Sequence, residues 1–391
     1  MHFPSLRFSQ YAIFALLFSC TTLSWQPPTL AQVGEDVLVA EPQVGISDPE
    51  FDQAGGRFCW IDGEGNVWIG EVSRRTGRFS PRNGKGVLVD TGAVPPKLTR
   101  NGPEWAFSSA GAQVVYTKYD SEGRFALGRA RFDGIAWLGE ILPGSSNRYL
   151  PFGSPDAGDP EPRISYAYAS ENESIVQVRN YWRKLDDPAS EEILPGTLFP
   201  GHWVPGLRAM LVNKLDAQGT SQVYLYNIDT KVYEQLTFDL LPKATSTMWQ
   251  APEFNGEYVF STVVVESRID IYRKLDGVWQ RSHSLKPPSA GQYLLSPEVF
   301  VHNGKSYISM ATSTVSGTSE EKLITPSDIW LAGVDPAAPF YRQLSASGAR
   351  VRLDPEVFVT DKGPYIYFTS IFVPGTTSIY RVDTGLGSVQ P

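Results

Sequence analysis

Cysteine is almost absent from this chain of 391 residues, which holds only Cys20 and Cys59. Two cysteines cannot build the disulfide framework of a small secreted scaffold, and Cys59, within the apolar sequence FCWID, is predicted to be a buried strand residue. Histidine is scarce as well, at four residues. Because His202, His283 and His302 are widely spaced and have no cysteine partners, the sequence excludes a zinc motif.

Long apolar runs and an excess of basic residues are also missing. After the N-terminal region, no stretch approaches the roughly 20 apolar residues that a membrane-spanning helix needs. Lys and Arg number 34 against 42 Asp and Glu, which gives a formal net charge of -8. This balance argues against nucleic acid or an anionic membrane as partner and favours cations or a basic protein. Neither a Gly-x-Ser-x-Gly elbow nor a phosphate-binding glycine loop is present.

The N-terminal region has the pattern of a signal peptide. Arg7 precedes the apolar run YAIFALLFSC, and the sequence TLA that follows ends at Ala31 in the small-x-small form that signal peptidase cleaves. Cleavage after Ala31 predicts a mature chain of residues 32–391, located in the periplasm or secreted. The sequence LFSC leaves one alternative, in which Cys20 is lipidated and tethers the protein.

What the chain has in abundance is turn residues and aromatics. Gly and Pro number 35 and 30, and aromatic residues make up 12%, a composition typical of β structure. The pair Pro-Glu recurs along the chain, and in one unit Gly201 and His202 occupy the positions of the proline and the glutamate. The repeating units are predicted to start near residues 48, 102, 159, 200, 251, 296 and 354.

Each unit contains further runs of alternating apolar residues, such as EYVFSTVVV, so that most units hold four short strands in about 50 residues. This repeat predicts an all-β fold, a β-propeller of seven four-stranded antiparallel blades in one domain, with six blades as the alternative count. The last unit ends at Asp383 without a fourth strand. Residues near Asp36 to Ala40 are therefore predicted to complete the last blade and close the ring, leaving no exposed edge.

Three pieces of sequence carry a family resemblance: YEQLT at 233–237, YRQLS at 341–345 and SIYRVD at 378–383. They resemble the repeats of TolB-like, or PD40-type (WD40-like), β-propellers. The resemblance implies a binding scaffold of the cell envelope. The chain departs from the family in its turns, where FVTDKG and FVHNGK replace Ser-Pro-Asp-Gly, and no separate domain is expected before the propeller. A role like that of TolB in envelope complexes is therefore not carried over.

The Pro-Glu pairs are predicted to form a ring where the first strand of each blade lines the central channel near one mouth. The members of this ring are Glu50, Glu104, Glu161, His202, Glu253, Glu298 and Glu356. Proline suits the first residue of a strand, since that residue need not donate a hydrogen bond. Crowded carboxylates repel one another unless they are hydrogen-bonded, protonated or compensated by a cation. Ca²⁺ or Mg²⁺, a basic partner, or a purely structural role are the interpretations left open.

Catalysis is the competing hypothesis. Asp48, Asp159 and Asp354 each precede a proline, and a distant Glu253 or Glu298 as acid would complete the carboxylate pair of a propeller glycoside hydrolase. Against this, the same pair recurs in blade after blade, whereas a catalytic residue is normally singular. The sequence therefore favours a non-enzymatic, monomeric binding protein without a resident cofactor, unless Ca²⁺ binds. An envelope protein, a small molecule or a glycan is the expected ligand.

Two secondary candidates for ligand contact come from the loops. Trp137, Trp249 and Trp279 fall near predicted turns, where an exposed ring could form a sugar platform. The sequence STVSGTSEEKLITPSD, at 313–328, is predicted to protrude as a loop and to contact a partner.

Overall fold

The alternating runs form β-sheets throughout. The computed structural model describes residues 34–99, 101–169, 179–346, 348–373 and 376–390, and in these ranges 29 strands are arranged in seven sheets. The protein is a seven-bladed β-propeller of antiparallel four-stranded sheets, with one extra outer strand in the first blade. The seven-bladed prediction is confirmed.

The strands follow the chain from blade to blade. The first strand is β1 (Val37–Val44). Blade 1 contains β2 (Glu50–Asp52), β3 (Arg57–Ile61), β4 (Val67–Val72), β5 (Phe79–Ser80) and β6 (Val87–Asp90). Blade 2 contains β7 (Glu104–Ser108), β8 (Gly111–Tyr119), β9 (Phe125–Phe132) and β10 (Trp137–Ile141). Blade 3 contains β11 (Arg148–Gly153), β12 (Arg163–Tyr168), β13 (Arg179–Lys184) and β14 (Asp187–Leu194).

The remaining blades repeat this order. Blade 4 contains β15 (His202–Trp203), β16 (Ala209–Leu215), β17 (Ser221–Asn227) and β18 (Val232–Gln235). Blade 5 contains β19 (Lys243–Ala251), β20 (Glu257–Val264), β21 (Arg268–Leu275) and β22 (Val278–Leu285). Blade 6 contains β23 (Tyr293–His302), β24 (Lys305–Ser313), β25 (Ser327–Gly333) and β26 (Tyr341–Gln343). Blade 7 contains β27 (Val351–Thr360), β28 (Gly363–Val373) and β29 (Thr376–Asp383).

Helical structure in the described ranges is limited to single turns. They are the α-helical turn Pro96–Thr99 and the 3₁₀ turns Pro252–Phe254 and Glu320–Leu323. No helix in these ranges is long and apolar enough to cross a membrane.

The two ends of the chain meet in blade 7. The sheet order is β1-β29-β28-β27, so β1 forms the outer strand, and Val37 lies opposite Arg381. Just before β1, the carboxylate of Asp36 accepts a hydrogen bond from the guanidinium of Arg352 on β27, at 2.7 Å. The predicted closure of the last blade by the N-terminal strand is confirmed.

Two of the predicted blade starts are wrong. The inner strand of blade 3 is β11, which ends before Pro160, and the inner strand of blade 5 is β19, which ends just before Pro252. In these two blades Pro-Glu occupies the connection between the first and second strands, where proline is tolerated because no ladder hydrogen bond is lost. The pair is therefore not a fixed marker of the inner strand.

The meander gives the ring two distinct faces. The upper face is the one formed by the connections between blades and by the turns between second and third strands. The lower face carries the turns between first and second strands and between third and fourth strands. Each inner strand runs from the upper to the lower face along the central channel.

Apolar side chains fill the spaces between blades, as the alternation along each strand predicts. Phe51 packs against Phe358 of blade 7, with ring centroids 5.5 Å apart. Two tryptophans also join neighbouring blades by hydrogen bonds: the Trp105 Nε1–H donates to the backbone oxygen of Glu50 at 3.0 Å, and that of Trp203 donates to Phe152 at 3.2 Å. Cys59 is fully buried, as expected.

Candidate functional site

Four inner strands contain a bulge that sets the geometry of the channel wall. A residue with positive φ interrupts the strand at Leu150, Thr245, Ser296 and Asp354, and in blade 1 Asp48, also with positive φ, lies just before β2; these φ values are between 41 and 58°. The pairing to the second strand shifts at this point in blades 3, 5, 6 and 7. A bulge of this kind bends a strand and redirects its side chains. In these five blades, the residue two places after the one with positive φ is the channel position.

The channel positions divide the ring into two unlike arcs. In blades 6, 7, 1 and 2, which are consecutive around the closed ring, all four positions hold glutamate: Glu298, Glu356, Glu50 and Glu104. In blades 3, 4 and 5 the equivalent residues are Phe152, His202 and Thr247. We call the first set the acidic arc and the second set the neutral wall. The predicted ring of glutamates therefore extends around only part of the channel.

Two aspartates join the acidic arc. Asp354 is the bulge residue of blade 7 and Asp48 lies just before β2 of blade 1, and both have positive φ two places before a channel glutamate, Glu356 and Glu50. The Asp48 Oδ2 atom accepts a hydrogen bond from the backbone N–H of Gly102 at 2.9 Å, and the Asp354 Oδ1 atom accepts one from the Ser296 hydroxyl at 3.0 Å. The sequence offered these aspartates as catalytic alternatives, and the fold places them among the channel glutamates.

The six carboxyl groups interact strongly. Burial, reinforced by the charge of Asp354, raises the pKa of Asp48 to about 7. Burial and neighbouring carboxylates likewise raise the pKa of Glu104 and of Glu298 to about 8. The same two causes raise the pKa of Glu50 and Glu356 well above its ordinary value. Each side chain is half-buried, so water reaches it from the channel while protein surrounds most of it.

Three of these carboxylates are close enough to share one cation. Asp48, Glu50 and Glu356 each offer an oxygen atom, and the three oxygens lie within 4.8 Å of one another. Carboxylate oxygens are the ligands that Ca²⁺ and Mg²⁺ prefer, and a cation would offset the repulsion that, together with burial, raises the pKa values. The donor set therefore fits a hard divalent cation.

The acidic arc lies deeper than the sequence predicted. Glu298 and Glu356 are each the sixth residue of a ten-residue inner strand. The arc therefore lies midway along the channel wall in these blades, not at its mouth. The difference arises in blades 6 and 7 because β23 and β27 begin before the Pro-Glu pair, whereas in blades 1 and 2 the strands β2 and β7 begin at the glutamate itself.

Glu161 and Glu253 lie apart from the acidic arc. Both follow their inner strands, in connections of the lower face. Glu161 forms an ion pair with Lys184 at 2.7 Å. Glu253 accepts hydrogen bonds from the backbone N–H and the hydroxyl of Ser306 in blade 6, at 3.1 and 2.9 Å, and so joins two blades. Asp159, the third proline-linked aspartate, pairs with Arg163 on the same lower face.

His202 is the polar aromatic member of the neutral wall. Its ring centroid lies 4.6 Å from that of Phe152. Burial lowers the pKa of His202 to about 4, so its imidazole is neutral at physiological pH. Sequence reasoning missed Phe152 and Thr247. Phe152 could have been found from Pro151, the proline directly before it. Thr247 has no proline before it, and no feature of the sequence pointed to it.

The three tryptophans proposed as sugar platforms have different environments. Trp249 is buried and donates a hydrogen bond to the Ser306 hydroxyl. Trp137 packs edge-on against Trp105, at 6.1 Å between ring centroids. Only Trp279, of the three, lines a described cleft, one of about 320 Å³ between blades 4 and 5 on the lower face.

Comparison with known proteins supports the fold alone. No protein-family model matches the chain, and no curated protein sequence matches it. Among solved structures, a prolyl endopeptidase matches 89% of this chain with a TM-score of 0.50 and 14% identity, over 51% of its own length. A Trypanosoma rangeli sialidase matches 91% with a TM-score of 0.45 and 11% identity, over 60% of its own length.

A structure of putative TolB from Agrobacterium tumefaciens matches 69% of this chain and 90% of its own, with a TM-score of 0.42 and 13% identity. The chain thus spans only about half to three fifths of the length of the endopeptidase and sialidase structures. At 14% identity, the likeness to the prolyl endopeptidase shows a shared fold and nothing more.

Proposed function

We propose that this protein is a non-enzymatic binding propeller whose acidic arc binds a positively charged ligand, with Ca²⁺ held by Asp48, Glu50 and Glu356 as the simplest case. The observation that carries the proposal is the approach of three carboxylate oxygens to within 4.8 Å of one another. Uncompensated carboxylates at this spacing repel, and a bound cation turns that repulsion into attraction.

The placement of the candidate catalytic carboxyl groups supports binding over hydrolysis. A glycoside hydrolase needs two carboxyl groups with distinct surroundings facing one bond, one as acid and one as base or nucleophile. Here Glu253, a candidate acid, is hydrogen-bonded to Ser306 on the lower face, away from Asp48 and Asp354. Asp48, Asp354 and Glu298 share one environment, in which burial and neighbouring carboxylates raise the pKa of Asp48 and of Glu298. We therefore rank the hydrolase second.

We also propose that the protein is located in the periplasm or secreted. This location rests on the signal-peptide pattern of residues 1–31, which lie outside the described residues. Millimolar Ca²⁺, common outside the cytosol, would match a site of modest affinity.

The test is thermal unfolding of the purified protein after chelation, repeated across Ca²⁺ and Mg²⁺ concentrations at constant ionic strength. A ligand that binds only the native state raises Tm in a saturable way. We expect such a rise with Ca²⁺, and its loss in Glu356→Gln and Asp48→Asn. Isothermal titration of the same proteins with CaCl₂ gives the affinity directly.

Glu257→Gln is the matched control, because Glu257 is an exposed glutamate paired with Arg273 on the lower face. It should respond to Ca²⁺ as the wild type does. If the wild type, Glu356→Gln, Asp48→Asn and Glu257→Gln all show the same Ca²⁺ response, the cation binds elsewhere and the proposed site is refuted. Release of sugar from an aryl glycoside, abolished in Asp48→Asn and Asp354→Asn, would establish the hydrolase instead.

A further inference from the structure

The upper face exposes several large apolar side chains in blades 4 to 6. In blades 4 to 6 they lie on the connections between blades and on the turns after second strands. This set, which we call the upper apolar arc, consists of Phe199, Leu215, Phe238, Leu240, Leu241, Val265, Leu323 and Ile324. Phe238, Leu240 and Ile324 are 71%, 80% and 76% exposed. Single exposed apolar residues are ordinary, but a contiguous set marks an interaction surface.

Backbone contacts show that the connections carrying these residues adjoin one another. The Leu198 N–H donates to the Asn213 oxygen at 2.8 Å, which brings the Phe199 connection beside the end of β16. The Ser221 hydroxyl donates to the Lys243 oxygen at 2.7 Å, which joins blade 4 to the connection that carries Phe238.

The same continuity extends to blade 6. Lys243 pairs with Val264, directly before Val265. In the same turn as Val265, the Glu266 carboxylate accepts hydrogen bonds from the Ser316 hydroxyl at 2.6 Å and from the Gly317 N–H at 3.1 Å. These contacts hold the 314–326 loop, which carries Ile324, against blade 5. The segments that carry the upper apolar arc therefore adjoin one another from blade 4 to blade 6.

The charges around this surface are mostly negative. Glu320 and Glu321 are exposed on the 314–326 loop, and Asp216 lies in the turn beside Leu215. Lys322 is the basic residue of the same loop. Although burial raises the pKa of Asp354, the positive charge of Lys322 is close enough to lower that pKa in part.

We propose that the upper face docks a protein segment that places a Lys or Arg side chain in the channel against the acidic arc, while flanking apolar residues cover the upper apolar arc. This inference rests on the proposed function, because it uses the same carboxylates and names the class of partner. A protein fits better than a membrane because the surface combines apolar side chains with carboxylates, and the chain carries a net charge of -8.

The test begins with selection of a random cyclic-peptide phage library on the purified protein. The expected result is enrichment of peptides in which a Lys or Arg is flanked by apolar residues. Affinities of the synthesised peptides are then measured by fluorescence anisotropy. Phe238→Ser combined with Leu240→Ser should weaken binding at least about tenfold, because two exposed apolar contacts are lost. Glu356→Gln should weaken it by a similar factor.

Two further variants make the test specific. Lys322→Ala should tighten binding by about twofold to threefold, since it removes a competing positive charge near Asp354. Ile135→Ser with Val278→Ser removes two exposed apolar side chains, 91% and 58% exposed, from turns of the lower face. This control should change the affinity less than about twofold. Each variant is first checked for a wild-type melting curve.

Several results would overturn the inference. Selected peptides without basic residues, or equal binding to the Phe238→Ser/Leu240→Ser protein, would refute the docking surface. So would binding to phosphatidylcholine or phosphatidylglycerol vesicles that Leu240→Ser abolishes, because the apolar side chains would then be membrane contacts. A Ca²⁺ response without any peptide binding would refute this inference and leave the cation site in place. Peptide binding that Glu356→Gln does not alter would refute the channel contact of this inference, whereas the cation site is decided separately by the Ca²⁺ response.

Discussion

Phe152 and His202 occupy equivalent channel positions in adjacent blades, and their ring centroids lie 4.6 Å apart. Across the ring, the same positions hold Glu50, Glu356 and Glu298. Seven repeats of one structural unit thus line a channel with two chemically different sides. A ligand with one positive end and one apolar side would bind in a single orientation.

The first prediction concerns His202. Because its pKa is lowered to about 4 in the folded protein and is near 6.5 in an unfolded chain, the unfolded state binds more protons between these values. Folding stability should therefore fall as the pH decreases from about 6.5 to about 4. His202→Gln should reduce this loss by at least about 1 kcal/mol, measured as the free energy of unfolding in urea at pH 7 and pH 4.5.

The control for His202 is the two-dimensional NMR spectrum of the ring protons. A His202 resonance that titrates near pH 6.5 would contradict the prediction, because it would show an imidazole in contact with bulk water.

The acidic arc predicts the opposite pH dependence. The folded pKa of Glu298 and Glu104 is about 8, above the value near 4.3 expected in an unfolded chain. Their contribution to stability is present in full below about pH 4 and is lost as the pH rises through about 8. In the presence of chelator, the free energy of unfolding should fall by at least about 1 kcal/mol between pH 5 and pH 8.

Glu298→Gln should flatten this decrease, and saturating Ca²⁺ should flatten it in the wild-type protein. Unfolding curves recorded with and without Ca²⁺ at the two pH values separate these effects. A pH dependence that is identical in wild type and Glu298→Gln would show that the glutamates titrate independently of folding.

The closure of the ring depends on a buried ion pair. Arg352 is 1% exposed, and its guanidinium donates to Asp36 and to the backbone oxygen of Ser327. Asp36→Asn would leave Asp328, at 3.7 Å, as the carboxylate partner of the buried Arg352 charge, so we expect it to destabilise the fold by about 3 kcal/mol. Chemical denaturation measures this difference.

The pair Arg208–Asp229 is the matched control, since both side chains are about half exposed, at 47% and 52%. Arg208→Gln should cost less than about 1 kcal/mol. Equal effects of Asp36→Asn and Arg208→Gln would mean that closure does not depend on the Asp36 carboxylate.

Removal of residues 1–45 would delete β1 and leave β29 as an open edge. The N–H and C=O groups of Thr377, Ile379 and Arg381 would lose strand partners. An unpaired strand edge is a template for association with other chains. We expect this truncated protein to melt at a lower temperature and to elute as oligomers in size-exclusion chromatography, whereas a monomer with the wild-type melting temperature would contradict the prediction.

The sequence predicted the architecture well because propeller repeats are visible as periodic strands. Four short apolar runs per unit predicted seven blades, and the unfinished last unit predicted closure by β1. Placement within the blades was less accurate. Pro160 and Pro252 follow their inner strands, since proline suits a connection as well as a strand that begins with Pro-Glu.

Within the candidate site, Glu50, Glu104, Glu298 and Glu356 could be identified from the Pro-Glu pair. Their grouping on one side of the channel could not, because it depends on which residues replace glutamate in blades 3 to 5. Thr247 shows the difficulty: its place is set by the positive φ of Thr245, a backbone feature without a sequence signature in that blade.

The pairing of β1 with β29 also constrains when the protein can finish folding. The N-terminus of a chain leaves the ribosome first, and domains start to fold as they emerge. Blades 1 to 6 each consist of strands that are close in sequence, so each sheet can form soon after its own residues are made. Blade 7 combines residues near position 40 with residues near position 380, so it must wait for almost the whole chain. Until then the ring stays open, and the channel that brings Glu50 and Glu356 together does not exist.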